Sequence, residues 1–558
     1  MWDGPHNPPK AKDGVRWRSD MRITNKIMQR NSLNNINSNK ELQDMLTTQM
    51  STQKKINRAS DDPVVAIRAL RLRSNVTEVS QYYSKNIPDA NSWLEVTEGA
   101  LNNTATIITK MLEQATKGSN GDLTSEDRQI IIEQLKALAD EVYATGDSSY
   151  AGRYVFTGYR TDTSLSFQKQ TMDTTYSITE QLDKSVIDQV KNVNLGPLDD
   201  WTASNATTLT VNETNVQTAD VYRIRLAYKD LDQQNADGTD CLPQIEYYSG
   251  KETPAAPIVA DMNVLSSEKI GGKDPYQYVN DNSNAVVFLR DTGELLLGTD
   301  VYNKLMATKD DTTSSQTNEA EIKVTYQKSQ FESKDLRPEH FYYCEATKWE
   351  SGADGKPKMP KTIENQLTYN EDYLKGGIVE KQSIEYDVGF NQTIRVNTTA
   401  DEAFNLGIVR EVDDLVSSLL KVQNLEDLKK NIENKLKNYS ETDAEYSVLQ
   451  NQLTAADKAL TFEKDTCQKR FEKGITSFQG YLDDASIAIT NAGTRSSKLE
   501  LIESRMREQK TTFETLKSEN EDIDITEVAI QLSSSEMTYQ AALTATGKLI
   551  QNTLLNYI

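Results

Sequence analysis

The chain has 558 residues, of which 37% are hydrophobic, and 62 Lys and Arg against 84 Asp and Glu leave a net charge of −22. That length is too great for one ordinary core, and so lean an apolar content suits an elongated molecule, or segments that order when a partner completes their core, better than a compact enzyme. The acidic balance lacks the clustered cationic excess that phosphate binding requires, so nucleic acid is excluded as a partner, and no window approaches the ~20 apolar residues of a membrane span, so no membrane insertion is expected.

Met1–Asp20 is rich in Pro and Gly and without periodicity, and its run Trp2–Pro9 lacks the apolar stretch of a secretory signal. It reads as an extension ahead of Met21, where the first helical pattern opens. From Ile23 to Ile56 that pattern is dense in Asn, at Asn25, Asn31, Asn34, Asn35, Asn37 and Asn39, and its seam of Leu42, Met45, Gln49, Thr52 and Ile56 is half polar. Asn is a poor helix former, so this segment is expected to fold upon assembly rather than alone. Asp62 followed by Pro63 is a helix start, an Asp cap with Pro at the first helical position, and Val64, Ile67, Leu70 and Arg71 carry the helix onward. Leu94, Leu101, Ile108, Met111 and Ala115 mark a further seam. Thr124 with Asp127 has the form of a capping box ahead of Ile131, Leu135, Leu138 and Val142.

Between about Leu165 and Thr399 the period turns from helical to alternating. Val221–Leu226 alternates, as do Ile322, Val324 and Tyr326, and Ile384, Tyr386 and Val388. Ala285–Leu289, a turn at Arg290–Gly293 and Glu294–Leu297 read as a β-hairpin. Leu425–Phe471 is charged and helix-prone, with a turn at Tyr439–Asp443, and reads as a helical hairpin. Phe478, Leu482, Ala485, Ile489, Ala492, Ser496 and Leu499 are spaced alternately four and three, and Met506 and Phe513 continue them at sevens, which places all on one stripe of a long helix. After a polar break at Lys517–Asp522, a last seam runs through Ile525, Val528, Leu532, Tyr539, Ala542 and Leu549.

The implied fold class is α+β and multidomain. A rod of long α-helices, coiled coil and bundle, is formed by the N- and C-terminal regions, with a β-rich region of two subdomains' size inserted. The expected division is an extension at 1–20, a terminal helix at 21–62, rod at 63–167, insert at 168–381, return strands and helix at 382–424, charged hairpin at 425–471, rod at 472–520 and a last helix at 521–558.

No catalytic constellation accompanies these elements. Cys241, Cys344 and Cys467 are odd in number and form no C-x-x-C pair, so neither a zinc site nor a disulfide framework is indicated, and they read as inert thiols. With His6 and His340 as the two histidines, a two-His zinc helix is excluded, and His340 reads as a packed or surface imidazole rather than a base. Neither phosphate-binding Gly-rich loop occurs. Adjacent acids, at Asp61-Asp62, Asp199-Asp200, Asp310-Asp311, Asp413-Asp414 and Asp483-Asp484, point in different directions and read as caps or solvated faces. No enzyme activity, metal or cofactor is expected.

The ends carry a resemblance. Met21–Asn25, then Lys55–Val64 with Asn57, Arg58, Asp61, Asp62 and Pro63, then Arg68–Ser74, closely resemble the N-terminus of the bacterial flagellin superfamily. Ala151–Gly158, with Gly152, Arg153, Tyr154, Phe156 and Gly158, is similar to the G-R-Y-x-F-x-G signature of the hook-associated protein 3 family within it. Asn491–Arg495 leading into Lys498–Glu500, and Ala529 to Ile558, are similar to that family's C-terminal helices. The resemblance covers roughly 21–167 and 383–558 and leaves out 168–381 and the hairpin 425–471. Flagellin reads Asp-Asp-Ala-Ala-Gly where this chain has Asp61–Val65, and it closes on a different pattern, so both departures favour the hook-associated family.

The resemblance implies a structural protein that joins hook to filament, as a junction ring of copies of itself between hook-associated protein 1 and flagellin. It also implies an export chaperone, passage through the flagellar type III channel without a cleaved signal, and an extracellular place on the flagellum. In fold, it implies that the first and last helices pair as an inner coiled coil, with the insert displayed outward. The alternatives are a flagellin-type filament subunit, or a flagellar protein with a binding or enzymatic module in the insert.

Overall fold

A computed structural model describes residues 25–121, 123–171, 173–233, 241–247, 255–307, 322–351, 357–358, 366–371, 373 and 382–551; Met1–Asp20, Met21–Thr24, Asp310-Asp311 and Asn552–Ile558 lie outside them. Helices α1 (Asn25–Thr52), α2 (Pro63–Gln81), α3 (Ile87–Gly118) and α4 (Ser125–Val142) precede the β region, α5 (Pro275–Asp281) and α6 (Thr299–Met306) lie within it, and α7 (Ala400–Ala403), α8 (Gly407–Leu436), α9 (Ala444–Glu521) and α10 (Ile525–Gln551) follow it. The chain is α+β, with long helices on both sides of a β-rich insert. It forms two compact units, one from the stretches up to Tyr83 and from Ser504 onward, the other from Ser84–Glu503.

In the first unit α1 and α10 pack together and run antiparallel, since Gln43 reaches Glu536 at 3.5 Å while Lys54 pairs with Asp522. The less exposed positions of α1 include Gln29, Ser32, Ile36, Asn39, Gln43 and Leu46, with Thr48 and Gln49 beyond them, and those of α10 include Val528, Leu532, Ser535, Tyr539, Ala542 and Thr546. Both sets alternate in steps of three and four, the signature of a coiled-coil seam. The seam expected on α1 is displaced by one position: Leu42 is 42% exposed and Leu46 2%. Small polar residues on α10 face the amide-bearing side of α1, so polar side chains fill positions that apolar ones usually hold. Such residues fix register at a cost in stability.

The loop after α1 is tied by its own acids. The Asp61 carboxylate accepts from the backbone N–H of Asn57 at 3.1 Å and of Arg58 at 2.8 Å. Asp62 caps α2, accepting from the N–H of Val64 at 2.9 Å and of Val65 at 3.1 Å, while Pro63 takes the first helical position. Arg73 grips Glu521 bidentately at 2.6 and 2.7 Å, and Lys55 N–H donates to the Glu521 carbonyl at 2.7 Å. These ties join α2 and the last residues of α9 to the terminal helices, so the division falls at Tyr83 and Ser504 rather than at the expected Asp62 and Asn520. Replacing Asp62 by Ala is expected to destabilise the start of α2 by about 1 kcal/mol, read as faster hydrogen exchange at Val64 and Val65.

In the second unit α3 buries a continuous stripe that includes Trp93, Leu94, Leu101, Ile108, Met111 and Ala115, and α4 carries the capping box of Thr124 with Asp127. The charged hairpin is continuous with its neighbours: α8 and α9 run unbroken through the boundaries expected at Asn424 and Phe471, with the turn between Leu436 and Ala444.

The strands are β1 (Ser149–Tyr150), β2 (Arg153–Tyr154), β3 (Thr174–Leu182), β4 (Asp188–Asn194), β5 (Gln217–Arg225), β6 (Gln244–Tyr247), β7 (Ile258–Val259), β8 (Met262–Val264), β9 (Val286–Leu289), β10 (Glu294–Leu297), β11 (Ile322–Lys328), β12 (Tyr343–Lys348), β13 (Glu350–Ser351), β14 (Pro357–Lys358), β15 (Gln366–Tyr369), β16 (Glu385–Gly389) and β17 (Gln392–Arg395). Two sheets dominate, one in the order β4-β5-β10-β9-β8 and one in the order β15-β12-β3-β11-β6-β7. The hairpin expected at 285–297 is β9–β10, with Leu289 opposite Glu294 and Gly293 at φ 64° in its turn. A Cβ there would lie 2.0 Å from the Tyr228 carbonyl oxygen, so the turn requires Gly on two counts.

Candidate assembly interface

On the terminal helix pair, the large apolar residues that the seam does not use point outward. Leu33 is 55% exposed, Met45 47%, Ile530 66% and Met537 67%. Ile525, expected in the last seam, is 50% exposed, whereas Val528 is buried and Leu532 and Tyr539 are half-buried; the Leu549 side chain lies outside the description. Ile56 is half-buried in the loop after α1. On α2, Val64, Ile67 and Leu70 form a second outward stripe. These outward apolar side chains make the first unit a candidate contact surface.

The remaining seam residues lie inside the second unit or on α9. Leu94, Leu101, Ile108, Leu499 and Met506 are buried, and Leu482 and Ile489 are half-buried. Met506 falls in the part of α9 that belongs to the first unit.

The Gly152–Gly158 signature is a fastening at the root of the insert. Arg153 lies 5.0 Å from the Trp93 ring centre, 3.3 Å from the Tyr386 hydroxyl and 3.6 Å from Asp89. Burial opposes the charge of Asp89, but hydrogen bonds from Tyr386 and Tyr150 and the Arg153 charge outweigh it and hold the carboxyl below its usual range. Tyr154 pairs across β1–β2 with Ser149. Phe156 is fully buried against Phe404, edge to face at 5.1 Å. Gly152 and Gly158 have φ of 76° and 60°, and a Cβ on Gly158 would lie 2.2 Å from the Gln382 side chain. Arg495 on α9 donates to the Asn397 carbonyl at 2.8 Å. The signature and Arg495 therefore hold the strands through which the insert leaves and rejoins the helices.

Where the five-stranded sheet meets α8 and α9, the contact is ionic. Asp414 accepts from Arg223 and Arg225, each at 2.6 Å, and from Arg470. Arg223 also pairs with Glu294 and Asp188, Lys473 with Asp188, and Arg225 with Glu411 at 2.9 Å. Burial works against the charge of Asp414, but Arg223, Arg470 and Arg225 overcome it and hold the carboxyl well below the usual range. The pair Asp413-Asp414, expected as caps or a solvated face, is thus corrected: Asp414 is a half-buried hub gripped by three arginines. A cleft of about 410 Å³ beside this network is lined by Tyr276, Ser417, Lys421, Glu463 and Thr466 among others. The sequence signal for the hub is faint, since Arg223 and Arg225 on one face of a strand do not reveal a partner that lies 191 and 189 positions on.

Burial, with Arg160 and Arg337 nearby, pushes the pKa of His340 down to about 3, so this imidazole stays neutral. Burial pushes the thiols of Cys344 and Cys467 up. Among the described residues no group of three or more His, Cys, Asp or Glu could hold a metal ion, and no described helix is long and apolar enough to cross a membrane.

Residues 23–161 match the family model for the bacterial flagellin N-terminal helical region. The chain is 29% identical over 143 residues to flagellar hook-associated protein 3 of Salmonella typhimurium, covering 25% of this chain and 45% of that protein. It is 32% identical over 122 residues to a flagellin of Clostridium tyrobutyricum, covering 22% and 32%. The chain thus spans less than half the length of the curated relatives it matches. A crystal structure of flagellar hook-associated protein-3 from Legionella pneumophila aligns over 78% of this chain and 98% of its own at 9% identity, with a TM-score of 0.20, which is too low to carry an argument. The N-terminal quarter of the chain is thus similar to the bacterial flagellin superfamily. Within it, the likeness is to hook-associated protein 3 as well as to flagellin.

Proposed function

We propose that the chain is a structural subunit of the bacterial flagellum that joins hook to filament, as a ring between hook-associated protein 1 and flagellin. The observation that carries this reading is the outward apolar surface of the α1–α10 pair. A pair whose seam is half polar is marginal alone, whereas covering Leu33, Met45, Ile530 and Met537 with neighbouring chains removes apolar area from water at ~25 cal/mol per Å². Assembly then supplies the stability that the pair lacks, and an export chaperone would shield the same surface beforehand. The departures from flagellin at Asp61–Val65 favour the junction over the filament, and extracellular export follows from that place.

Cells whose copy of the chain lacks 525–558 are expected to keep hooks and shed flagellin into the medium, with no attached filaments under electron microscopy. Attached filaments of normal length would overturn the junction reading and favour a subunit of the filament itself.

A further inference from the structure

The segment Leu226–Leu231 is the joint between the two sheets. On one side, Leu226 N–H donates to the Gly293 carbonyl at 2.9 Å, Asp230 N–H to Asp291 at 3.2 Å and Leu231 N–H to Arg290 at 2.8 Å, all in the β9–β10 turn. On the other, Ala227 N–H donates to the Glu180 carboxyl on β3 at 2.9 Å, and Lys328 on β11 donates to the carbonyls of Lys229 and Asp230. Arg410 on α8 reaches the Leu226 carbonyl at 3.2 Å. Asp230 adopts φ 52°, a left-handed conformation that a non-Gly residue keeps only when its surroundings hold it.

We propose that Glu180 is a proton-operated lock on this joint, holding the two sheets of the insert together when neutral and loosening them when charged. Glu180 is 2% exposed. Tyr326 from β11 donates to the same carboxyl oxygen as Ala227; Tyr228, Tyr342 and Tyr373 also face it, each feeling its charge. The nearby cation, Arg410, is committed to Asp413 at 3.2 Å and to the carbonyls of Leu226 and Thr292. A carboxylate here therefore sits among tyrosines with little free positive charge to answer it.

Burial raises the Glu180 pKa from 4.5 to about 7, although Tyr326, Ala227 and Arg410 pull the other way. The folded joint thus holds a proton that the open form releases from about pH 4.5 upward. Closure is favoured at low pH, weakens as pH rises through this window and levels off above about pH 7. Asp232 and Asp335, at the Lys328 end of the segment, are also raised by burial, so the test must separate them from Glu180.

Hydrogen exchange of the full chain, corrected for intrinsic rates, tests this at Ala227 and Leu231. Protection is expected to fall on the order of a hundredfold from pH 5 to pH 8 in the parent chain and to stay level in Glu180→Gln. Should that variant fail to fold, Tyr326→Phe removes a bond that favours the charged form, and the fall should then shift to higher pH. Equal protection at both pH values in the parent overturns the proposal. So does a fall that persists in Glu180→Gln, which would assign the proton to Asp232 or Asp335, or a fall that stays in place in Tyr326→Phe.

Discussion

Replacing Asp414 by Ala is expected to lower the stability of the second unit by about 3–5 kcal/mol, the cost of leaving buried charges without their partner. The side chains of Arg223, Arg225 and Arg470 are 3%, 18% and 10% exposed, and all three converge on this carboxylate. Water has little access to replace it at Arg223, whose other partners are Glu294, itself buried, and Asp188, half-buried. Urea unfolding followed by fluorescence checks the size of the effect, and added salt should rescue little of it, because screening acts weakly on buried pairs. The pH dependence has a definite sign. The Asp414 pKa is depressed below its ordinary 3.8, so its contribution is complete above that value and is lost only as pH falls toward the depressed one.

The second large effect is expected at Phe471, which is fully buried on α9. Its ring lies where Gly118 closes α3, and a Cβ on Gly118 would stand 2.1 Å from it. Phe471→Ala should therefore cost about 3–5 kcal/mol through lost burial and the cavity left behind. Gly118→Ala presses on the same contact from the other side and should cost about 1–3 kcal/mol as overpacking. If the pair acts as one contact, a small residue at 471 should make Gly118→Ala nearly neutral, and a double-mutant cycle in urea measures that coupling. Additive losses would show that the two sites act separately.

The helices were legible because their signals are local. The Asp62-Pro63 start and the Thr124–Asp127 box each name their own first turn, and the alternate spacing from Phe478 to Leu499 needs no partner to be read. The β9–β10 hairpin was legible for the same reason, its turn and both strands lying within 285–297. What escaped reading depends on distance along the chain. Apolar spacing alone puts the α1 seam on Leu42, yet Ser535 and Thr546 of α10, hundreds of positions away, lie against its polar side. Asp414 looked like one of several acid pairs until strand β5 brought its arginines to it. The family signature was readable as a pattern, but that Arg153 packs on Trp93 and Phe156 on Phe404 is a property of the folded root alone.

That root has a consequence for how such a chain can change. Tyr159 N–H donates to the Gln382 side chain at 2.9 Å, so the backbone departs for the insert and returns from it at neighbouring points. A stretch of any length can be grafted between them without respacing α3 and α9. The ionic contact around Asp414 makes the exchange tolerable from the helices' side as well, since losing the sheet would bare a face of acids and bases that water solvates, not a greasy one that aggregates. The inserted cassette can thus be exchanged while the helices at its root stay untouched.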